Sequence, residues 1–147
     1  MIISLIDKVT PELIAAFENL TPQLNTSSPI PAFKELESLI SSENTFLFTG
    51  EKKGRIIGTI SVVIYEIPTG RKAWIEDVIV DESARGQGYG KQLVSHALEF
   101  LREKEVLFVN LTSHPSRLPA NKLYQDLGFN LRETNVYRFN FKKTIRA

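Results

Sequence analysis

Apolar residues recur along this chain with two periods, and the changes from one to the other mark its elements. Residues 2–6 read as a short first strand. Thr10-Pro11-Glu12 is a helix start, with Thr as N-cap, Pro at the first helical position and an acid in the first turn. Leu13, Ile14, Phe17 and Leu20 follow at helical spacing. The stretch 21–31, rich in Thr, Ser, Asn and Pro, reads as a loop. A second amphipathic helix is expected over 32–40, with Phe33, Leu36, Leu39 and Ile40 facing inward.

The period then changes. Residues 45–50 and 55–65 are β-rich runs separated by Lys52-Lys53-Gly54, a hairpin signal, and Pro68-Thr69-Gly70 turns the chain into a strand over 72–80. A helix over 88–103 places Leu93, Val94, Ala97, Leu98 and Leu101 on one side. A buried strand is expected over 106–112 and a shorter helix over 118–127, with Gly128 as its C′ residue. Two final strands, 129–133 and 136–141, close the chain. This order predicts one α/β domain over 1–147, a mixed, mostly antiparallel sheet of about seven strands with helices on both faces. Strands 72–80 and 106–112, joined through a helix, should be parallel, and ligands are expected near their carboxyl ends.

Composition narrows the classes of function. The 147 residues suit one compact domain, and a 42% hydrophobic, 24% charged make-up is that of a soluble globular protein. A net charge of +1 argues for neither nucleic acid nor an anionic membrane as partner. Zero cysteines exclude disulfides, thiol catalysis and cysteine-based metal sites. His96 and His114, on a helix and in a loop, do not form a metal site. The first residues lack the pattern of a signal peptide and no run reaches membrane-spanning length, so a cytoplasmic location is expected.

The segment 80–91 carries the chemistry. An apolar strand stops at a polar turn, glycines stand at 86, 88 and 90, and a helix begins at once. Two readings fit: a tight turn, or a cradle in which the free N–H groups and dipole of a helix N-terminus hold a phosphate. A nucleotide-hydrolysing P-loop does not fit, since the first glycine is misplaced and Gln92 stands where Ser or Thr is needed. Nor does a dinucleotide fingerprint, because the spacing is G-x-G-x-G behind Arg85.

Arg85-x-x-Gly88-x-Gly90 resembles the acyl-CoA pyrophosphate loop of the GNAT N-acetyltransferases. Residues 74–80 resemble the strand before that loop, and 120–129 resemble the family's A-x-x-L-Y-x-x-L-G-F segment. The resemblance implies the acyl-CoA N-acyltransferase fold and transfer of acetyl from acetyl-CoA to a primary amine by direct attack on the thioester, with no metal. It also implies contacts from Val78, Ile79 and Val80 to the pantetheine arm, and from Arg85, Gly86, Gln87, Gly88, Tyr89, Gly90 and Lys91 to the pyrophosphate. Where the family often has a pantetheine-contacting Asn, this chain has Arg117, with Asn121 one turn later as a substitute. Arg117 could reach a CoA phosphate or an acidic substrate, or simply be a solvated helix-end residue. Residues 75–78 and the Tyr124 helix also resemble the glucosamine-phosphate branch of the family.

A protonated alkylamine, pKa about 10.4, must lose a proton before attack. Glu76 is the candidate base, in a strand of apolar neighbours where burial would raise its pKa; a structural salt bridge is the competing role. Strand alternation points Glu76 and Asp77 to opposite faces unless a bulge intervenes. From the resemblance, Tyr124 approaches the CoA sulfur and protonates the departing thiolate; the competing role is a packing aromatic with its hydroxyl on a backbone group. His114 is an alternative base, and His96 is structural or solvated. Trp74 and the phenylalanines at 100, 108, 129, 139 and 141 read as core, although the aromatic final strands would equally suit a homodimer interface. A small-molecule amine is the expected acceptor. The alternatives are an N-terminal acetyltransferase of peptides or proteins, with a groove walled by 21–31 and 129–141, and a non-catalytic acyl-CoA-binding module.

Overall fold

The computed structural model describes residues 1–141. Its elements run β1 (Ile2–Leu5), α1 (Pro11–Leu24), α2 (Phe33–Ser41), β2 (Thr45–Lys52), β3 (Arg55–Ile67), β4 (Gly70–Val80), α3 (Tyr89–Glu103), β5 (Val109–Asn110) and α4 (Leu118–Asp126), with a single 3-10 turn (Glu82–Ala84) before α3. The sheet order is β1-β2-β3-β4-β5, antiparallel except for the β4–β5 pair. The parallel pairing expected through the α3 crossover is present.

Local signals act where they stand. The Thr10 hydroxyl accepts from the Leu13 N–H at 3.1 Å and caps α1. β2 turns into β3 through Lys53 and Gly54, both at positive φ, a primed two-residue hairpin that matches the strand twist. α4 ends in a Schellman arrangement, with Gly128 N–H donating to the Gln125 carbonyl and Phe129 N–H to that of Tyr124.

Each face of the sheet buries its own cluster. Leu47, at an inward position of β2, packs with Leu13, Phe17 and Leu36 beneath α1 and α2. Its neighbour Phe48 points the other way, into Ile60, Val62, Ile64, Ala73 and Ile75 beneath Leu93, Val94, Ala97 and Leu101 of α3.

Four expectations are corrected. α1 runs through Pro22 to Leu24, because Leu20 and Thr21 are buried and the burial outweighs the hydrogen bond that proline cannot donate. Phe33 is exposed on the first turn of α2. The strand expected over 106–112 pairs only at Val109–Asn110, and as the sheet's edge it leaves Leu107 and Phe108 exposed. Residues 129–133 and 136–141 form no strand, so the described residues hold five strands where about seven were expected. Phe139 and Phe141 are accordingly exposed rather than core.

Thr59 is 1% exposed and its hydroxyl has no partner among the described residues. An unsatisfied buried hydroxyl costs about 1–3 kcal/mol. Thr59→Val keeps the β-branch and removes the unpartnered hydroxyl, and should raise unfolding stability by about 1 kcal/mol in thermal or urea melts.

Candidate active site

β4 pairs with β3 along its length but spends an extra residue doing so. Ser61 pairs with Glu76 and Thr59 with Ile79, so a bulge lies at 77–78, where Asp77 takes a left-handed φ of 48°. Asp is among the few residues that tolerate that conformation. The bulge upsets the alternation expected for an unbroken strand, and Glu76 and Asp77 are both exposed. On the other side, β4 pairs with β5 only at Ala73↔Val109 and Trp74↔Asn110. Beyond Trp74 the two strands part, leaving that edge of β4 without a strand neighbour. Val78 and Val80 pack their side chains against the core and Ile79 is buried, so these residues offer the opening chiefly main chain.

At the end of β4 the chain is anchored from behind. Asp81, 3% exposed, accepts from Asn19 of α1 (2.9 Å), from the Arg55 guanidinium of β3 (2.7 Å) and from the N–H and hydroxyl of Ser83 (both 3.1 Å). Glu82 N–H donates to the Gln23 side chain at 2.8 Å, and the Arg85 Nε to the Val80 carbonyl at 3.0 Å. The front of the loop is free. Gly86 and Gly88 hold φ of 78° and 83°, and the first bond of the new helix is Gln92 N–H to the Gly88 carbonyl at 3.1 Å. Among the described residues no acceptor takes the backbone N–H groups of 86–91. Gly90 serves close packing instead: a Cβ there would lie 3.3 Å from Leu123 Cδ1, so α4 rests directly on the first turn of α3. Lys52, Lys53 and Arg55 line a cavity of about 320 Å³ on the loop's other flank, with Lys52 over the Tyr89 ring at 5.2 Å.

Tyr124, half-buried on α4, stands edge-on to Phe129 with ring centroids 5.9 Å apart. Its ring packs against the core beneath α3, and its hydroxyl has no protein partner among the described residues. It lines an open groove of about 760 Å³ with Asn110, Ser113, Asn121 and Phe129. Glu76 and the glycine loop do not line this groove; Glu76 stands on the parted half of β4 and the loop follows that strand's end. Burial pushes the Tyr124 phenol up from its ordinary value, and the nearby Arg117 charge opposes the rise. Desolvation, then the charge of Asp77, push the Glu76 carboxyl up.

The remaining candidates hold the frame. Asn121 donates its amide group to the His114 carbonyl at 3.0 Å and the Pro115 carbonyl at 3.4 Å, leaving its Oδ1 for a ligand. Arg117 donates to the Leu24 carbonyl at 3.1 Å, tying the end of α1 to the start of α4. The His114 Nδ1 accepts from the Ser116 N–H within its own turn, and His96 sets its ring against Phe48. Sequence reasoning missed the anchors Asp81, Asn19, Gln23 and Arg55. The only local signal was Asp81 itself, an Asx-type cap two residues before Ser83.

The family model described as Acetyltransferase (GNAT) family matches residues 11–129. A glucosamine 6-phosphate N-acetyltransferase of Trypanosoma brucei brucei is 39% identical over 95 residues, 63% of this chain and 63% of that protein, so the match spans less than two thirds of the relative's length. An uncharacterized N-acetyltransferase of Bacillus subtilis is 30% identical over 121 residues, 79% of this chain and 83% of that protein. Among solved structures, an aminoglycoside acetyltransferase from an uncultured soil metagenomic sample superposes with a TM-score of 0.81 at 22% identity, covering 97% of this chain and 96% of that one, a likeness of fold.

Burial alone would raise the Asp81 carboxyl, but the Ser83 N–H, the Asn19 amide, the Ser83 hydroxyl and the Arg55 charge outweigh it and hold the group below its ordinary range. A depressed folded-state pKa stabilises above the unfolded value, about 3.9, and the contribution fades as pH falls through the folded one. Asp81→Asn should therefore lose about 2 kcal/mol at pH 7, and the gap from wild type in urea melts should close only below about pH 4.

Proposed function

Because the chain belongs to the acetyltransferase (GNAT) family, we propose that it transfers an acetyl group from acetyl-CoA to the primary amine of a small molecule by direct attack on the thioester. One combination supports the reading: the N–H groups of 86–91 are unpartnered at the start of α3, α4 with its unpartnered Tyr124 hydroxyl packs on that first turn at Gly90 and Leu123, and β4 parts from β5 beyond Trp74. The helix N-terminus, cleared of side chains at Gly86 and Gly88, suits a pyrophosphate, and Lys52, Lys53 and Arg85 add positive charge around it. The parted edge of β4 over 78–80 offers main-chain groups to an extended pantetheine arm. Acetyl-CoA supplies an acetyl group activated as a thioester.

In this reading Glu76 accepts the proton that the amine sheds, directly or through a water, and its raised pKa makes it a stronger base than a solvated carboxylate. The amine nitrogen bonds to the acetyl carbon as the carbon–sulfur bond breaks. Tyr124, protonated at neutral pH, donates to the sulfur that takes the electron pair. The acceptor would then reach from the groove beside Tyr124, Asn110 and Ser113 toward the parted edge of β4, where its amine meets Glu76. The likeness to a glucosamine 6-phosphate N-acetyltransferase supports amino-sugar phosphates as the first acceptors to screen.

Calorimetry with acetyl-CoA, desulfo-CoA and ATP tests the donor, and thiol release with amino-sugar phosphates, aminoglycosides and peptide N-termini tests the acceptor. Binding of acetyl-CoA but not ATP, followed by release with a small amine, is expected. Binding without release by any amine would leave an acyl-CoA-binding module, and release by peptides alone would move the acceptor to a protein N-terminus.

Tyr124→Phe should lower kcat by roughly 100-fold while acetyl-CoA affinity stays within about twofold, so equal turnover would remove Tyr124 from the chemistry. Glu76 works only when deprotonated. In wild type kcat/KM should rise as pH climbs through its raised pKa, and Glu76→Gln should lose that limb along with roughly 100-fold in rate.

A further inference from the structure

Between Gly70 and Glu76 the ladder to β3 runs without a shift, so side chains there alternate strictly between the two faces of the sheet. Ala73 and Ile75 are buried in the cluster beneath α3. Lys72, Trp74 and Glu76 therefore share the other face, beside their partners Tyr65, Val63 and Ser61. This is the side on which α1 and α2 lie, since Ser61 pairs in turn with Leu47 of their cluster. Trp74 reads as core in the sequence, yet it is only half-buried. With Val63 and Tyr65 it joins neither buried cluster among the described residues. An aromatic stripe beside the candidate base is thus left partly open to solvent.

Lys72 ends the stripe on its amino side. Its Nζ stands 5.1 Å over the Phe108 ring and donates to the Thr69 hydroxyl at 2.6 Å. An ammonium carries three donors, so two remain for a ligand. Among the described residues no carboxylate pairs with it: Glu66, the next residue along β3 from its partner, is bound by Arg71 at 3.0 Å. Residues 142–147 contain neither Asp nor Glu. Phe108 lines the groove that holds Tyr124, and so does Asn110, the β5 partner of Trp74. The stripe thus adjoins that groove along β5.

A cation, an aromatic ring and a carboxylate stand in line at alternate positions of one strand. Four residues span about 13 Å, and two long flexible side chains can close part of that gap. We infer that Lys72 and Trp74 select the acceptor: the ring of an amine substrate lies on Trp74, its ammonium meets Glu76, and an anionic group across the ring is held by the Lys72 ammonium. The order of charges fixes the direction. A ligand laid the other way would set its anion against the exposed Glu76 and Asp77. Lys72 and Trp74 touch no reacting atom in this arrangement; they decide which amine is presented. The inference rests on the acetyl-transfer reading, and its test separates the two.

Two matched pairs of amines isolate the anion: glucosamine 6-phosphate against glucosamine for a phosphate, and para-aminomethylbenzoate against benzylamine for a carboxylate. In thiol-release assays at saturating acetyl-CoA, wild type should show a kcat/KM roughly 10-fold or more higher for the anionic member of one pair, and that pair identifies the anion. Lys72→Met should bring the ratio to within about twofold of unity, whereas Lys72→Arg, which keeps the charge, should retain most of it. Trp74→Leu should raise KM for both members by roughly 10-fold and leave their ratio in place. Calorimetry with acetyl-CoA on each variant reports that the fold and the donor site survive. Equal turnover of neutral and anionic members, turnover confined to peptides, or a preference that outlasts Lys72→Met would overturn the selection while acetyl transfer stands. Failure of the wild type to bind acetyl-CoA would overturn the transfer reading and this inference with it.

Discussion

The site depends on one asymmetry in β4. Its β3 side is paired from Gly70 to Val80, while its β5 side is paired at two positions and then abandoned. The bulge at 77–78 reconciles these demands. By spending an extra residue against β3, β4 bends and twists locally without losing that ladder. The carboxyl half of the strand thus borders an opening instead of another strand. The exposure of Glu76, the free main chain of 78–80 and the place of the glycine loop all follow from that departure. A left-handed Asp77 is the local strain it entails, in a residue type suited to bear it.

The loop beyond β4 is rigid on one side and unsatisfied on the other. Asp81 gathers α1, β3 and the 3-10 turn around one buried carboxylate, and Gln23 holds the next N–H. A buried negative charge behind an anion site would normally oppose binding. Here Arg55 sits against it at 2.7 Å, and the Asn19 and Ser83 donors bond its oxygens, which offsets that charge. The free N–H groups face outward on an already ordered backbone. An anion arriving there would not have to bear the entropy of fixing the loop.

Much of this was legible in the residues because it is coded locally. The Thr10 cap, the Lys53-Gly54 turn, the helical stripe of α3 and the glycine junction each need only a few neighbouring side chains to be read. What the residues hid is coded at a distance. α1 passes Pro22 because Leu20 and Thr21 find burial elsewhere, and Asp81 matters because Asn19 lies 62 residues away in the chain and beside it in space. The alternation of 136–141 does specify a strand, but a strand needs a neighbour, and among the described residues none is supplied. The aromatic pattern was sound as a statement of preference and wrong as a statement of burial.

The two groups proposed for proton transfer respond oppositely to the same cause. Desolvation raises both pKa values. For Glu76 the rise brings the carboxylate closer to the amine it must deprotonate and strengthens it as a base. For Tyr124 the rise keeps the proton on the phenol but takes it further from a thiol, whose ordinary pKa is about 8.5, so full transfer to the sulfur becomes less favourable. Arg117 works against that penalty. Its charge favours the phenolate, while its bond to the Leu24 carbonyl fixes it at the head of α4. In the proposed mechanism Arg117, first placed between phosphate contact and bystander, would act indirectly, by opposing the rise of the Tyr124 pKa. On these energetics the proposed role of Tyr124 is that of a hydrogen-bond donor to the departing sulfur, with the proton following as charge accumulates on it.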